Sequence, residues 1–113
     1  MNYPYTITKT PLGRLTIKLP KEIEIFEDFV GVIFTEEDAL EVVEYIDKVI
    51  DGTYEHFEYS INGISVDMKK EETTVHNPFY EQNDLHYEDT METDQFRELV
   101  LIWKDEVLGN PEY

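Results

Sequence analysis

Two histidines lie among carboxylates in the C-terminal third of the sequence, a combination that could bind a metal ion. His76 and His86 stand near Glu81, Asp84 and Glu88, and imidazole nitrogens and carboxylate oxygens are both common metal ligands. Their spacing matches no diagnostic metal-binding motif, and a loop would have to be ordered before it could present them. Since histidines in a carboxylate-rich segment are most often solvated, the sequence predicts no metal site and no cofactor.

Catalytic motifs are missing as well. Asp and Glu number 26 in 113 residues, so close carboxylate pairs arise by chance, and general acid–base catalysis also needs a cleft that raises one pKa. The sequence has no glycine-rich phosphate loop, nucleophile elbow, metalloprotease helix pair or calcium loop. Cysteine is absent, which excludes disulfides, thiolate zinc sites and cysteine nucleophiles. We therefore expect a protein that is not an enzyme.

The net charge is the strongest feature of the composition. Nine Lys and Arg residues against 26 Asp and Glu give a formal net charge of −17 at pH 7. A small domain needs a net charge of only about 2–8 for solubility, and more adds self-repulsion. Such a chain lacks the Lys/Arg footprint that binds nucleic acid, and an anionic membrane would repel it. The charge predicts a cationic protein partner, with merely solvated acidic faces as the alternative.

Two amphipathic helices are predicted. The first spans about 35–51, because Thr35 offers an N-cap hydroxyl ahead of a carboxylate at Asp38, and Gly52 stands where a left-handed C-cap is favoured. The second spans about 93–108 and carries an apolar stripe that includes Trp103. This spacing favours burial of Trp103 in the core over a role in binding a ligand. One face of the first helix is almost uniformly acidic.

Alternation of apolar and polar residues predicts the strands. Segments 4–10 and 14–19 form an N-terminal hairpin, the run 29–34 indicates a buried strand, and Asn62-Gly63 joins two strands in a hairpin that a third strand at 73–76 extends. Residues 77–92 show no regular period and read as a long loop. The fold class is α+β: one domain, 1–113, with an antiparallel sheet of about five to six strands and two helices.

The unpaired acids and aromatics of the loop and the first helix are the candidate partner-binding residues. Tyrosines would supply buried anchor area and carboxylates would orient a cationic partner. The alternative is that Phe79, Leu85 and Tyr87 merely cap the open end of the sheet. The candidates are Tyr80, Glu81, Asp84, Tyr87, Glu88, Asp89, Glu37, Glu41 and Glu44.

The order of these elements resembles a known group of proteins. A short N-terminal hairpin, the acidic helix Thr35–Gly52, the aromatic hairpin at Asn62-Gly63 and the terminal helix from Phe96 to Asp105 are similar to the small immunity proteins of bacterial polymorphic toxin systems, including those of contact-dependent growth inhibition. The resemblance covers the whole chain through pattern and composition. It implies a cytoplasmic antitoxin that binds one cognate toxin domain, often a nuclease, and has no activity of its own.

Two other classes of function stay open at this stage. A nucleic-acid mimic, or an acidic accessory subunit of a DNA-binding complex, would place carboxylates where phosphates bind and would act on several unrelated proteins. A small enzyme or metal-dependent protein would show a bound metal or a deep pocket. A cytoplasmic location is expected, because the sequence lacks a secretory signal and an apolar run near the ~20 residues of a membrane span.

Overall fold

Six strands form two antiparallel sheets in the computed structural model, which describes every residue from Met1 to Tyr113. The smaller sheet pairs β1 (Thr6–Lys9) with β2 (Leu15–Lys18). The larger sheet has the order β3 (His56–Ile61), β4 (Ile64–Lys69), β5 (Glu72–His76) and β6 (Glu88–Glu92). The α-helices are α1 (Phe26–Val30), α2 (Glu36–Ile50), α3 (Pro78–Gln82) and α4 (Thr93–Ile102). The α+β class is confirmed, with the strands divided between two sheets.

Helix α2 forms as the sequence predicts. The backbone N–H of Asp38 donates to Thr35 Oγ1 at 3.1 Å, which satisfies one of the free donors of the first turn. Gly52 follows the helix with φ +87°, a conformation that is costly for other residues. The residues at helical spacing that are buried in the core are Ala39, Val42, Val43, Ile46 and Val49.

The C-terminal helix is confirmed over the predicted range, with a change of hydrogen-bond pattern part-way. α4 runs to Ile102 and continues as a π-helical segment, Trp103–Leu108. Trp103 is core, as predicted, and its indole N–H donates to the carbonyl of Ile33 at 2.9 Å. This bond ties the end of α4 to the loop before α2.

The hairpin at Asn62-Gly63 is also confirmed. Asn62 has φ +50° and Gly63 has φ +84°, the two positive values of a type I′ turn, and Ile61 pairs with Ile64 across it. The third strand of this meander, β5, pairs with β4 as expected. The N-terminal hairpin is present as well, but as a separate two-stranded sheet.

The strand predicted at 29–34 is wrong, because its first two residues end α1 and residues 31–34 form a turn and an irregular segment. A 3₁₀ turn at Lys21–Ile23 leads into α1. Phe26, Phe29 and Val30 of α1 are fully buried at the three- and four-residue spacing of one helix face, and Ile33 is fully buried after the turn. A continuous apolar run does not distinguish a buried strand from a buried helix, and here the packing selected the helix.

The long loop predicted at 77–92 is also wrong, since most of it is regular. Asn77 caps α3 by accepting from the N–H of Phe79 at 3.0 Å, and Pro78 occupies the first helical position. β6 then pairs with β5 along its whole length. Only the short connection between α3 and β6 is irregular.

The core lies between the helices and one face of the larger sheet. Ile64, Val66 and Met68 of β4 and Met91 of β6 point into it, joined by apolar side chains of α1, α2 and α4. The other face of the sheet is polar and open. None of the helices combines the length and the apolar character needed to cross a membrane.

Candidate partner-binding site

The open face of the larger sheet is lined by polar side chains, several of them acidic. Glu58 of β3 lies directly opposite Asp67 of β4, with Thr74 of β5 next in the same row. The two carboxylates repel each other, because like charges directly opposite across two strands are destabilising. Asp67 Oδ1 accepts no hydrogen bond, and His56 Nε2 lies 3.8 Å from it. A shallow depression of about 370 Å³ lies over this row.

Three exposed apolar side chains lie in α3 and in the connection that follows it. Phe79 is 57% exposed, Leu85 56% and Tyr87 37%, so they do not close the core. The ring of Phe79 lies over the hairpin turn, 3.7 Å from where a Cβ on Gly63 would stand. Apolar anchors beside carboxylates are the usual make-up of a tight protein interface.

Two of the predicted carboxylates in this region, Glu81 and Glu88, meet at one histidine. His76 Nε2 lies 3.1 Å from Glu81 and His76 Nδ1 lies 3.0 Å from Glu88. The hydrogen bond with Glu88, reinforced by the charge of Glu81, raises the pKa of His76. The ring also contacts Tyr87 edge-on, with centroids 5.2 Å apart. No group of three or more His, Asp or Glu side chains is arranged to hold a metal ion.

Tyr80 and Asp84 occupy different environments in the same region. Tyr80 packs partly against the core, and burial together with the charge of Asp28 raises its pKa. Asp84 is exposed and has φ +56°, a left-handed conformation that Asp tolerates better than most residues. The carboxylate of Asp84 is therefore accessible, whereas much of the Tyr80 ring is not.

Asp89 is separated from the other candidates by burial. Its side chain is only 5% exposed. Oδ2 accepts from the N–H of Ile25 at 3.0 Å, and Oδ1 lies 2.5 Å from His86 Nε2. These contacts join β6 to the segment before α1, a structural arrangement that sequence alone did not reveal.

The remaining candidates lie on the exposed face of α2. Glu37, Glu41 and Glu44 are all exposed, and Leu40 among them is 51% exposed. Tyr45 donates to Glu41 Oε1 at 3.0 Å, and this bond raises the pKa of Tyr45. No hydrogen bond, ion pair or aromatic contact joins this group to the α3 region, so the candidates form two separate groups.

Comparison with known proteins identifies the family. The chain is 30% identical over 107 residues to an "Immunity protein" of Bacillus cereus, with 93% of this chain and 88% of that protein aligned. This chain belongs to that immunity protein family. No family model and no solved structure matches it.

This member of the immunity protein family has one more candidate surface, an aromatic row beside β3. Tyr45 of α2 stacks on Phe57 at 4.4 Å between centroids, Tyr54 also stacks on Phe57 at 5.4 Å, and Tyr45 contacts Tyr59 at 5.3 Å. All four rings are half-buried. The alternation of Phe57 and Tyr59 correctly predicted a strand facing the core, but only the sheet order reveals that this strand is at an edge and leaves its rings accessible.

Proposed function

We propose that this chain is an acidic immunity protein that binds one cognate toxin domain, a basic nuclease, and neutralises it by covering its active or substrate-binding surface. The observation that carries the proposal is the 30% identity, over nearly the whole chain, with the immunity protein of Bacillus cereus. The chain acts by binding and performs no catalysis of its own. Its place of action is the cytoplasm.

The charge supports a basic nuclease as the partner. A nuclease binds phosphates through Lys and Arg side chains, and a protein with net charge −17 is attracted to that surface over roughly a Debye length of ~8–10 Å. Charge complementarity of this kind speeds encounter and fixes orientation. Raising the ionic strength is therefore expected to slow association much more than it speeds dissociation, which stopped-flow mixing would measure.

The α3 region supplies contacts suited to the partner. Tyr87 and its apolar neighbours can bury anchor area, while Glu81, Asp84 and Glu88 lie around them for cationic side chains. The acidic face of α2, with Glu37, Glu41 and Glu44, is the second candidate contact. Asp89 contributes to the fold beneath this region by accepting a hydrogen bond from the N–H of Ile25.

Co-expression and binding test this proposal. We expect a toxin domain to be encoded beside this chain's gene. That domain should kill a host cell alone and be harmless when this chain is present, whereas unrelated toxins remain lethal. Protection against one toxin supports an immunity protein, while inhibition of several unrelated DNA-binding proteins would indicate a nucleic-acid mimic instead. Absence of both binding and protection would overturn the proposal.

Variants test the contact surface. Tyr87→Ala, and the double change Asp84→Asn with Glu88→Gln, are each expected to weaken toxin binding by at least about tenfold while the melting temperature changes by a few degrees at most. The matched control is Glu71→Gln with Glu112→Gln, because both carboxylates are exposed and Glu71 lies at the opposite end of the sheet. Equal affinity of the test and control variants would move the interface away from α3.

A further inference from the structure

Strand β3 ends the larger sheet and has no strand on its outer side. The sheet order places it at the edge, and its pairing with β4 is continuous from His56 to Ile61. Because the two-residue turn makes Ile61 and Ile64 a hydrogen-bonded pair, the bonds to β4 alternate along the strand. The N–H and C=O groups of Phe57, Tyr59 and Ile61 point towards β4, and those of His56, Glu58 and Ser60 point outwards.

Most of the features by which proteins block a sheet edge are absent from β3, and the one charged side chain on it is Glu58. The strand contains no proline and no lysine, its register has no bulge, and at six residues it is not short. Its core-facing residues are only half-buried, whereas those of β4 are buried. An extended chain could therefore approach the outer side of β3 along most of its length.

Both flanks of this edge carry negative charge beside apolar surface. On the helix side, Glu41 lies next to the half-buried rings of Tyr45 and Tyr59, and the pKa of Tyr59 is raised by burial and by the charge of Glu41. On the open side, Glu58 faces Asp67 with no lysine or arginine paired to either. A strand lying beside β3 would direct alternate side chains to these two flanks.

We propose that the outer edge of β3 receives an extended segment of the toxin, which adds a fifth strand to the sheet. This rests on the proposed function and specifies how the toxin docks. Main-chain hydrogen bonds at His56, Glu58 and Ser60 provide the pairing. The added strand places apolar side chains on the rings of Tyr45, Phe57 and Tyr59, and Lys or Arg side chains near Glu41 and Glu58.

A second copy of this chain fits the edge poorly. Two β3 strands side by side would bring Glu58 of each copy to the new junction, between molecules of net charge −17. Like charges across strands are destabilising, so the charge that attracts a basic segment also prevents self-pairing. The occupant is therefore a cationic strand.

Amide hydrogen exchange by NMR tests the pairing directly, with a catalytically inactivated form of the toxin domain from the co-expression test as the probe. In the free protein, the amides of Phe57 and Tyr59, which bond to β4, are expected to exchange slowly, and those of Glu58 and Ser60 are expected to exchange fast. Addition of the toxin is expected to slow exchange at Glu58 and Ser60 by about tenfold or more, because only a hydrogen-bonding strand protects alternate residues. Unchanged exchange in a tight complex would overturn the inference and leave the proposed function intact. If the toxin does not bind at all, both fail.

A proline substitution provides a second readout. Ser60→Pro removes an outward N–H while leaving the bonds to β4, and it is expected to weaken toxin binding by about tenfold or more. Ser60→Ala is the matched control, since it changes the side chain alone and should bind like the wild type. If Ser60→Pro unfolds the chain, the exchange pattern of the wild-type protein alone decides whether a toxin strand pairs with β3. Light scattering measures whether the free protein forms a dimer. A dimer in which the amides of Glu58 and Ser60 are protected would overturn the proposal that a cationic toxin segment binds β3.

Discussion

The two edges of the larger sheet are treated differently by the fold. At β6, the 3₁₀ turn Lys21–Ile23 packs alongside, Asp89 accepts from the N–H of Ile25, and the hydroxyl of Tyr3 donates to Glu92 at 2.8 Å. At β3, the outer backbone groups face solvent and the core-facing rings are half-buried. The covered edge contributes stability, and the open edge leaves hydrogen-bonding capacity for a partner.

The N-terminal segment is bound to α4 and to the last residue of β6. The N-terminal ammonium pairs with Glu98, the N–H of Asn2 donates to Gln95 at 2.5 Å, and Tyr3 bonds Glu92. The last of these bonds raises the pKa of Tyr3 to about 12 and lowers that of Glu92. No such segment is bound along β3, so substitutions at the two edges should have different effects on stability.

The largest difference is expected between two isoleucines. Ile23→Ala, beneath the covered edge, should lower the free energy of unfolding by about 2–4 kcal/mol, because Ile23 is fully buried and its removal leaves a cavity. Ile61→Ala is the matched change on β3 and should cost about 1 kcal/mol, since its side chain is already half-solvated. Urea unfolding measures both, and equal losses would remove the distinction between the edges.

The buried carboxylate of β6 gives the next largest effect. Asp89→Ala should destabilise the free protein by about 1–3 kcal/mol, because the N–H of Ile25 loses its acceptor in a buried position. Asp89→Asn keeps an oxygen there and should lose less. If Asp89→Ala instead weakens toxin binding at unchanged melting temperature, Asp89 is a contact residue after all.

His76, at the end of β5 and paired with Glu88 of β6, makes the stability depend on pH. The pKa of His76 is raised in the folded protein above its unfolded value of about 6.5. The contribution is therefore complete below about pH 6.5 and is lost as the pH rises through the raised value. Because His76 and its carboxylate partners are solvent-accessible, their contribution to the free energy of unfolding is less than about 1 kcal/mol.

Melting curves from pH 5 to 9 check this expectation. The stability advantage of the wild type over His76→Gln should shrink as the pH rises. The double variant Glu81→Gln with Glu88→Gln serves as the control, because it removes both partners and should make the His76 substitution independent of pH. A constant difference across the range would contradict the assignment.

The smallest effect is one of opposite sign at the two edges. Glu58→Gln on β3 should stabilise the free protein by about 0.2–1 kcal/mol, because it relieves repulsion with Asp67. Tyr3→Phe on the covered side should destabilise it by about 0.5–1 kcal/mol, because the ring stays and the bond to Glu92 is lost. Thermal unfolding of both variants, measured in parallel, shows the two signs. A loss of stability in Glu58→Gln would mean that the repulsion between Glu58 and Asp67 does not destabilise the free protein.

Local signals were enough where the chain's own neighbours decide the structure. The cap at Thr35, the two positive φ angles at Asn62-Gly63 and the stripe that includes Trp103 follow from nearest-neighbour chemistry, and each is present as the sequence indicated. The acidic character of α2 was equally readable, since residues three and four apart share a helix face.

Tertiary packing decided what depends on distant partners. The apolar run at 29–34 suits a strand or a helix, and α1 forms because its side chains pack into the core around Phe96, with Phe29 and Phe96 5.8 Å apart. β6 has only Met91 as an apolar residue and is a strand because β5 pairs with it. The burial of Asp89 and the openness of β3 follow from sheet order, which no local pattern encodes, because an edge is defined by the strand that is absent beside it.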